Sequence, residues 1–196
     1  MPQPPTSSRN TSGPRSSSSD SLRAALRHHT EHTHRRLDEA AGALGGVDQY
    51  RAFVANSYRF RGAVEPACAG FGFWSLPRLL GLLARDLRDL GVVRLPAIRP
   101  PLRIGSPSAA LGALYVLEGS ALGARLLLRR AAALGFDGSF GARHLALQVA
   151  DPTRWRRFLL LLETMAEIDR AEALATAEAV FQLAAGCHAE NASERA

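Results

Sequence analysis

The sequence contains no lysine: all 24 of its basic residues are arginine. Guanidinium groups stay ionised and offer a planar fork of donors suited to carboxylates and phosphates. The excess of 24 basic over 18 acidic residues, a formal charge of +6, therefore points to an anionic ligand or an acidic partner, with codon bias towards Arg as the plain alternative. No nucleic-acid recognition motif accompanies the charge, so no nucleic acid is expected. Two cysteines, Cys68 and Cys187, are too few for a disulfide framework and lack the spacing of a zinc site, which fits a reducing, cytoplasmic setting. No stretch approaches the ~20 uninterrupted apolar residues that a bilayer span requires, and the first 21 residues hold no signal-like apolar run, so no membrane is expected. Alternating polar and apolar segments, internal repeats, a Gly-rich dinucleotide fingerprint and a cysteine cluster are also missing. Strands and a built-in redox module are thereby excluded.

What remains is helical. With 46% hydrophobic residues in a 196-residue chain, one core is affordable and one domain is expected, over residues 22–188. Residues 1–21, rich in Pro, Ser, Thr and Arg, read as a disordered tail, and residues 189–196 as a C-terminal tail. Asp20 or Ser21 can cap a first helix that carries Leu22, Leu26, Leu37 and Leu44 and ends at Gly45-Gly46. A second pattern runs from Asp48 to Val64 and stops at Pro66. Gly70–Pro77 reads as a connector anchored by Phe71, Phe73 and Trp74. Leu79 to Leu90 forms a third helix closed by Gly91, and the prolines between Val92 and Ser106 make a loop. Apolar periodicity resumes over Pro107–Leu134, weakens over Gly141–Val149, and returns as one last long helix from Pro152 to Cys187. The expected fold class is all-α.

Four of six histidines lie within seven residues: His28, His29, His32 and His34. At about 100° per residue, Arg27, Thr30, Leu37 and Ala41 fall within about 60° of His34, whereas the other three histidines point largely away. His34 thus borders the apolar stripe. His28 and His32 could share a metal, but no carboxylate completes a helical metal motif, and a solvated face is the simpler account. Gly112, Gly119 and Gly123 each cost an isolated helix about 1 kcal/mol and so demand a reason. Gly119 and Gly123 stack without Cβ atoms on one face, which suits a flat ligand or a close helix crossing equally. Tyr115 lies one turn earlier on that side.

Leu26-Arg27-His28-His29-Thr30-Glu31-His32-Thr33-His34-Arg35-Arg36-Leu37-Asp38 resembles the opening helix of the haem oxygenases, and Leu111–Gly123 resembles the distal helix of their bacterial, biliverdin-producing branch. Arg78, Leu83, Asp86-Leu87 and Leu90-Gly91 between them, and Trp155, Phe158, Ala177 and Phe181 later, are compatible with the same pattern. The resemblance covers about residues 21–188. It implies a helical bundle with haem between the first helix and the glycine-bearing helix, and His34 as the iron ligand.

In that family haem is both substrate and cofactor. Three O₂ and external electrons convert it to biliverdin, CO and ferrous iron. The resemblance assigns Gly119 and Gly123 to the catalytic distal face, where missing side chains leave room for O₂ and steer it to the ring edge. Arg27 and Tyr115 are implied as propionate donors, with Thr30, Ser120 and Phe181 as further haem-contacting residues. The distal helix lacks the Asp of animal-type members, and Glu118 is its only nearby acid. A ferredoxin or flavoprotein reductant is implied as partner, with a biliverdin-using photoreceptor as a possible recipient of product. Arg125, Arg129, Arg130, Arg154, Arg156 and Arg157 are the expected basic surface for the reductant. A non-catalytic haem carrier or sensor, and a helical scaffold without haem, are the alternatives; a di-iron site is disfavoured because the Glu-x-x-His pattern is missing.

Overall fold

The computed structural model describes residues 21–41 and 44–193. Among them the chain forms eight helices and no strand: α1 (Leu22–Ala41), α2 (Val47–Cys68), α3 (Leu80–Asp89), α4 (Pro107–Gly119), α5 (Ala121–Ala133), α6 (Arg143–Val149), α7 (Arg154–Thr164) and α8 (Arg170–Ser193). Among the described residues, the only strand-like pairing is an isolated bridge between Asp137 and Gly141. The N-terminal tail lies outside the described residues. The expected boundary at 188 has no counterpart, since α8 continues to Ser193.

Two helix starts follow a serine side chain. Ser21 Oγ accepts the Ala24 N–H at 3.2 Å, so Ser21 caps α1. Ser106 Oγ accepts the Ala109 N–H at 3.0 Å and Pro107 opens α4, where its missing N–H costs nothing. Four expected boundaries move. α1 is described to Ala41, short of Gly45-Gly46, and Leu44, its side chain buried, takes the left-handed conformation (φ 47°). α2 runs through Pro66 to Cys68. The last helix is two, because Glu167 turns left-handed (φ 58°) and Asp169 restarts the chain, its Oδ1 accepting the Glu172 N–H at 3.1 Å. Pro152 therefore precedes α7 and opens no helix. Finally, the run from Pro107 breaks at Ser120 into α4 and α5. By length and composition that run could cross a membrane, but α4 is buried nearly throughout.

α8 is the central post: α1 and α4 both pack on it more extensively than on any other helix. Its apolar residues surround it, as a helix buried on several sides requires. On one side Gly112 of α4 meets Ala173 and Ala177; a Cβ at Gly112 would lie 2.1 Å from the Ala173 carbonyl oxygen. That glycine exists for a helix crossing. Leu26, Val64, Leu111, Leu114, Phe158 and Val180 fill the main core, and a second cluster around Tyr50, Val54, Leu83, Leu87 and Leu145 joins α2, α3 and α6.

Candidate functional site

α1 presents the expected residues in two layers. Leu26, Thr30 and Thr33 are buried against the bundle, while Arg23, Arg27, His28, His29, His32 and His34 are exposed. Thr30 Oγ1 donates back to the Leu26 carbonyl at 2.7 Å, so its hydroxyl serves its own helix. The His34 ring meets the buried Phe181 of α8 edge-on, with centroids 5.6 Å apart. His34 is therefore exposed and braced against Phe181, unlike a core histidine. His28, His29 and His32 face solvent, and no group of three His, Cys, Asp or Glu converges among the described residues.

Across from α1, Tyr115 is half-buried with its ring 5.6 Å from that of Trp155. Burial raises the Tyr115 hydroxyl above its ordinary pKa, and the positive charges of Arg23 and Arg27 pull it the other way. The fold thus brings Arg27 and Tyr115 within electrostatic reach, and adds Arg23. Sequence reading missed Arg23, although its place one turn before Arg27 on the same face was a legible signal. Two exposed guanidiniums and a phenol make a cationic, hydrogen-bonding rim suited to carboxylates.

The two distal glycines are not equivalent. Gly119 ends α4, and a Cβ there would contact the Trp155 ring at 3.6 Å; Gly123, in the first turn of α5, faces open space. The break at Ser120 separates them. Leu122 beside Gly123 is 62% exposed, so apolar surface is left uncovered there. Ser120 Oγ donates to the Leu117 carbonyl at 2.6 Å and accepts from Arg61 at 3.1 Å and Gln148 at 2.6 Å. Its hydroxyl is spent on holding the break, with no proton left for a ligand.

Behind this face lies a dense set of buried charges. Arg61 of α2 is buried, and burial pulls its guanidinium below the ordinary value while Glu65 and Glu118 oppose that shift. Glu118, 3% exposed, accepts two bonds from Arg154, each 2.7 Å, and the Trp74 indole N–H at 2.8 Å. It turns away from the open face and pins the Gly70–Pro77 connector to α7. Arg154 is thereby removed from the expected reductant surface, and Arg157 is paired with Asp151 at 2.6 Å; Arg125, Arg129 and Arg156 are exposed. Asp86 is fully buried and accepts the His144 ring at 2.8 Å, with the Arg143 and His144 backbone N–H groups and the Arg143 side chain. Burial alone would raise this carboxyl, but the His144 hydrogen bonds and charge, then Arg143, bring it below the usual range.

On α8, Glu178 faces α1. Its Oε1 accepts Thr33 Oγ1 at 2.6 Å and Gln182 Nε2 at 3.1 Å, while Oε2 is buried with no hydrogen-bond partner.

Arg23, Arg27 and Tyr115 at a rim, an exposed imidazole braced by Phe181, and an open glycine beside uncovered leucine fit a flat, largely apolar ligand that carries carboxylates at one edge and a metal. The chain is 33% identical to Heme oxygenase PigA of Pseudomonas aeruginosa over 160 residues, covering 74% of this chain and 79% of the relative. It is 36% identical to a heme oxygenase of Xanthomonas campestris over 110 residues, 55% of this chain and 66% of that one. In fold it superposes on the NO- and CO-bound heme oxygenase of Neisseria meningitidis with a TM-score of 0.74 at 24% identity, covering 87% of this chain and 92% of the other. No family model matches the sequence. The similarity to PigA spans most of both proteins: the chain belongs to the haem oxygenase family.

Proposed function

We propose that the protein binds haem as its substrate and opens the ring with O₂ and external electrons, releasing biliverdin, CO and ferrous iron. The observation that carries this reading is the placing of Arg27 and Tyr115 at one rim, with His34 two turns further along the same side of α1. Haem, when bound, supplies the iron centre at which O₂ is reduced. The chain's own work is to hold and orient it. His34 offers an imidazole nitrogen to the iron, Phe181 fixes the ring's edge, and Arg23, Arg27 and Tyr115 anchor the propionates and so set the rotation of the macrocycle.

Gly119 and Gly123 keep side chains off the opposite face. With Glu118 and the Ser120 hydroxyl both committed elsewhere, hydrogen bonding to O₂ there falls to backbone and water. Thr30 supports the helix and Ser120 its break, each acting without touching haem. Electrons come from a separate acidic ferredoxin or flavoprotein that meets Arg125, Arg129 and Arg156, so turnover should fall as salt screens these charges.

The test is to add hemin, record the Soret band, then supply reductant in air and follow biliverdin absorbance and CO release. Ring opening is expected. An imidazole-type Soret spectrum without ring opening would overturn the enzyme reading and leave a carrier.

A further inference from the structure

A groove of about 770 Å³ lies between the end of α2, the Gly70–Pro77 connector and the first turns of α3, and it shares no residue with the haem-facing set. Its volume is that of a small-molecule site. Phe71, Trp74, Leu76 and Leu80 give it apolar walls, and Gly81 adds no side chain to its floor. The wall is preformed: the Trp74 indole N–H donates to Glu118 at 2.8 Å, and the Arg154 guanidinium lies 4.9 Å from the ring centroid.

Both exposed charges in the lining are positive. Arg78 and Arg85 stand seven residues apart, a spacing that returns them to one side after two helical turns, and among the described residues neither makes an ion pair. The one carboxylate in the lining, Glu65, is buried and already engaged. Its oxygens accept the Leu79 and Leu80 N–H groups at 3.1 and 3.2 Å, Arg61 is 3.6 Å away, and Arg78 adds only its field. Burial pushes the Cys68 thiol up to about 11, so this part of the wall stays neutral. Asp86 and Asp89, the acids of α3, are bound by Arg143 and do not line the groove. An apolar trough edged by guanidinium alone is complementary to a molecule with an apolar body and an anionic end.

We propose that this groove is a second binding site, for an amphipathic carboxylate of the fatty-acid class: the apolar body lies against Trp74, Leu76 and Leu80 over Gly81, and Arg78 and Arg85 hold the carboxylate. The site is separate from the haem face, and the inference does not depend on haem chemistry.

The test is equilibrium dialysis of the full chain against radiolabelled laurate below its micelle concentration, with and without hemin, so that laurate on the haem face is told apart from laurate in the groove. Saturable binding of one equivalent is expected with hemin present. Arg78→Glu combined with Arg85→Glu is expected to weaken it at least about 10-fold, and Gly81→Phe, which fills the trough, at least about 5-fold. All three positions are exposed or face open space, so the variants should fold, which circular dichroism checks. Arg88→Glu changes an exposed charge of α3 outside the lining and should alter affinity by less than about 2-fold at physiological salt. Dodecylamine, with the same chain length and the opposite charge, should not compete. No saturable binding in the hemin-loaded chain, equal competition by dodecylamine, or unchanged affinity in the Arg78/Arg85 and Gly81 variants would each overturn the proposal. So would failure of laurate together with arginine-dependent binding of an acidic amphipathic peptide, which would make the groove a protein-docking surface.

Discussion

The two sides of the break at Ser120 treat polar groups in opposite ways. Towards α2, α6 and α7, Arg61, Glu65, Glu118, Asp86 and His144 are buried, Arg154 is partly buried, and all are paired with one another, with backbone or with Trp74. Towards α1, Arg23, Arg27 and His34 are exposed, and Gly123 and Leu122 leave the surface bare. Charges in the first set are held by the protein and so define its shape: removing one partner strands another in a medium that cannot solvate it. Those in the second set lie at the surface, where solvent carries their charge and a change of partner costs less. Proximity to the glycine helix alone would have ranked Glu118 and Arg154 with Arg27; their partners separate them.

The comparison breaks most visibly at His34. His34→Ala is expected to abolish the imidazole-ligated spectrum and to lower turnover by at least about 100-fold, with thermal stability little changed because the ring is exposed; His28→Ala and His32→Ala should leave the spectrum alone. If His32→Ala removed it instead, the assignment of faces on α1 would be wrong. On the sealed side, Asp86→Ala is expected to cost about 3–5 kcal/mol in denaturant unfolding, since His144 and two backbone N–H groups lose their acceptor. A loss below about 1 kcal/mol would mean that the network is dispensable.

Smaller effects sharpen the contrast between glycines. Gly112→Ala drives a Cβ to within 2.1 Å of the Ala173 oxygen and is expected to destabilise by up to about 3 kcal/mol, whereas Gly123→Ala meets nothing and should leave the melting temperature within a degree or two while slowing ring opening. Equal melting losses would refute the division into a packing glycine and a ligand-facing one. The least direct effect is on pH. Burial pushes the His188 imidazole down to about 4 and lowers that of His144. In the unfolded chain both titrate near 6.5, so between pH 6.5 and 4 the unfolded state binds protons that the folded state refuses, and stability falls as pH falls. The loss from His188 is up to about 3 kcal/mol. Melting measured at pH 7 and pH 5 should show it, and His188→Leu should flatten it.

Much of the fold was legible because apolar spacing is local. α1 and α4 begin at their caps, α3 begins within a residue of where its periodicity places it, and Gly91 (φ 80°) closes the third helix as expected. The division of the last helix was also written in the chain, since Asp169 followed three residues later by Glu172 is a capping signature. Breaks without Pro or Gly at the turning residue and without a capping signature after it, at Leu44 and Ser120, were not. Of the site, Arg27, His34 and Tyr115 came from spacing and resemblance. Arg23 required only the same face argument taken one turn further.

The partners of the buried charges lay beyond any sequence argument. Nothing local tells that Glu118 turns to Arg154, 36 positions away, or that Thr33 meets Glu178, 145 positions away. The sequence by itself determined an all-α chain, a histidine on the border of an apolar stripe, a surface whose cations are all arginine and a helix thinned by glycine, because these depend on residue type and on a 3.6-residue period. Only the tertiary structure decided which glycine makes room for a backbone and which faces open space, which arginines are spent on the core, and which carboxylate oxygen is buried without a donor. A hydrogen bond or a collision is a relation between segments, and its strength is set by burial that no single segment carries.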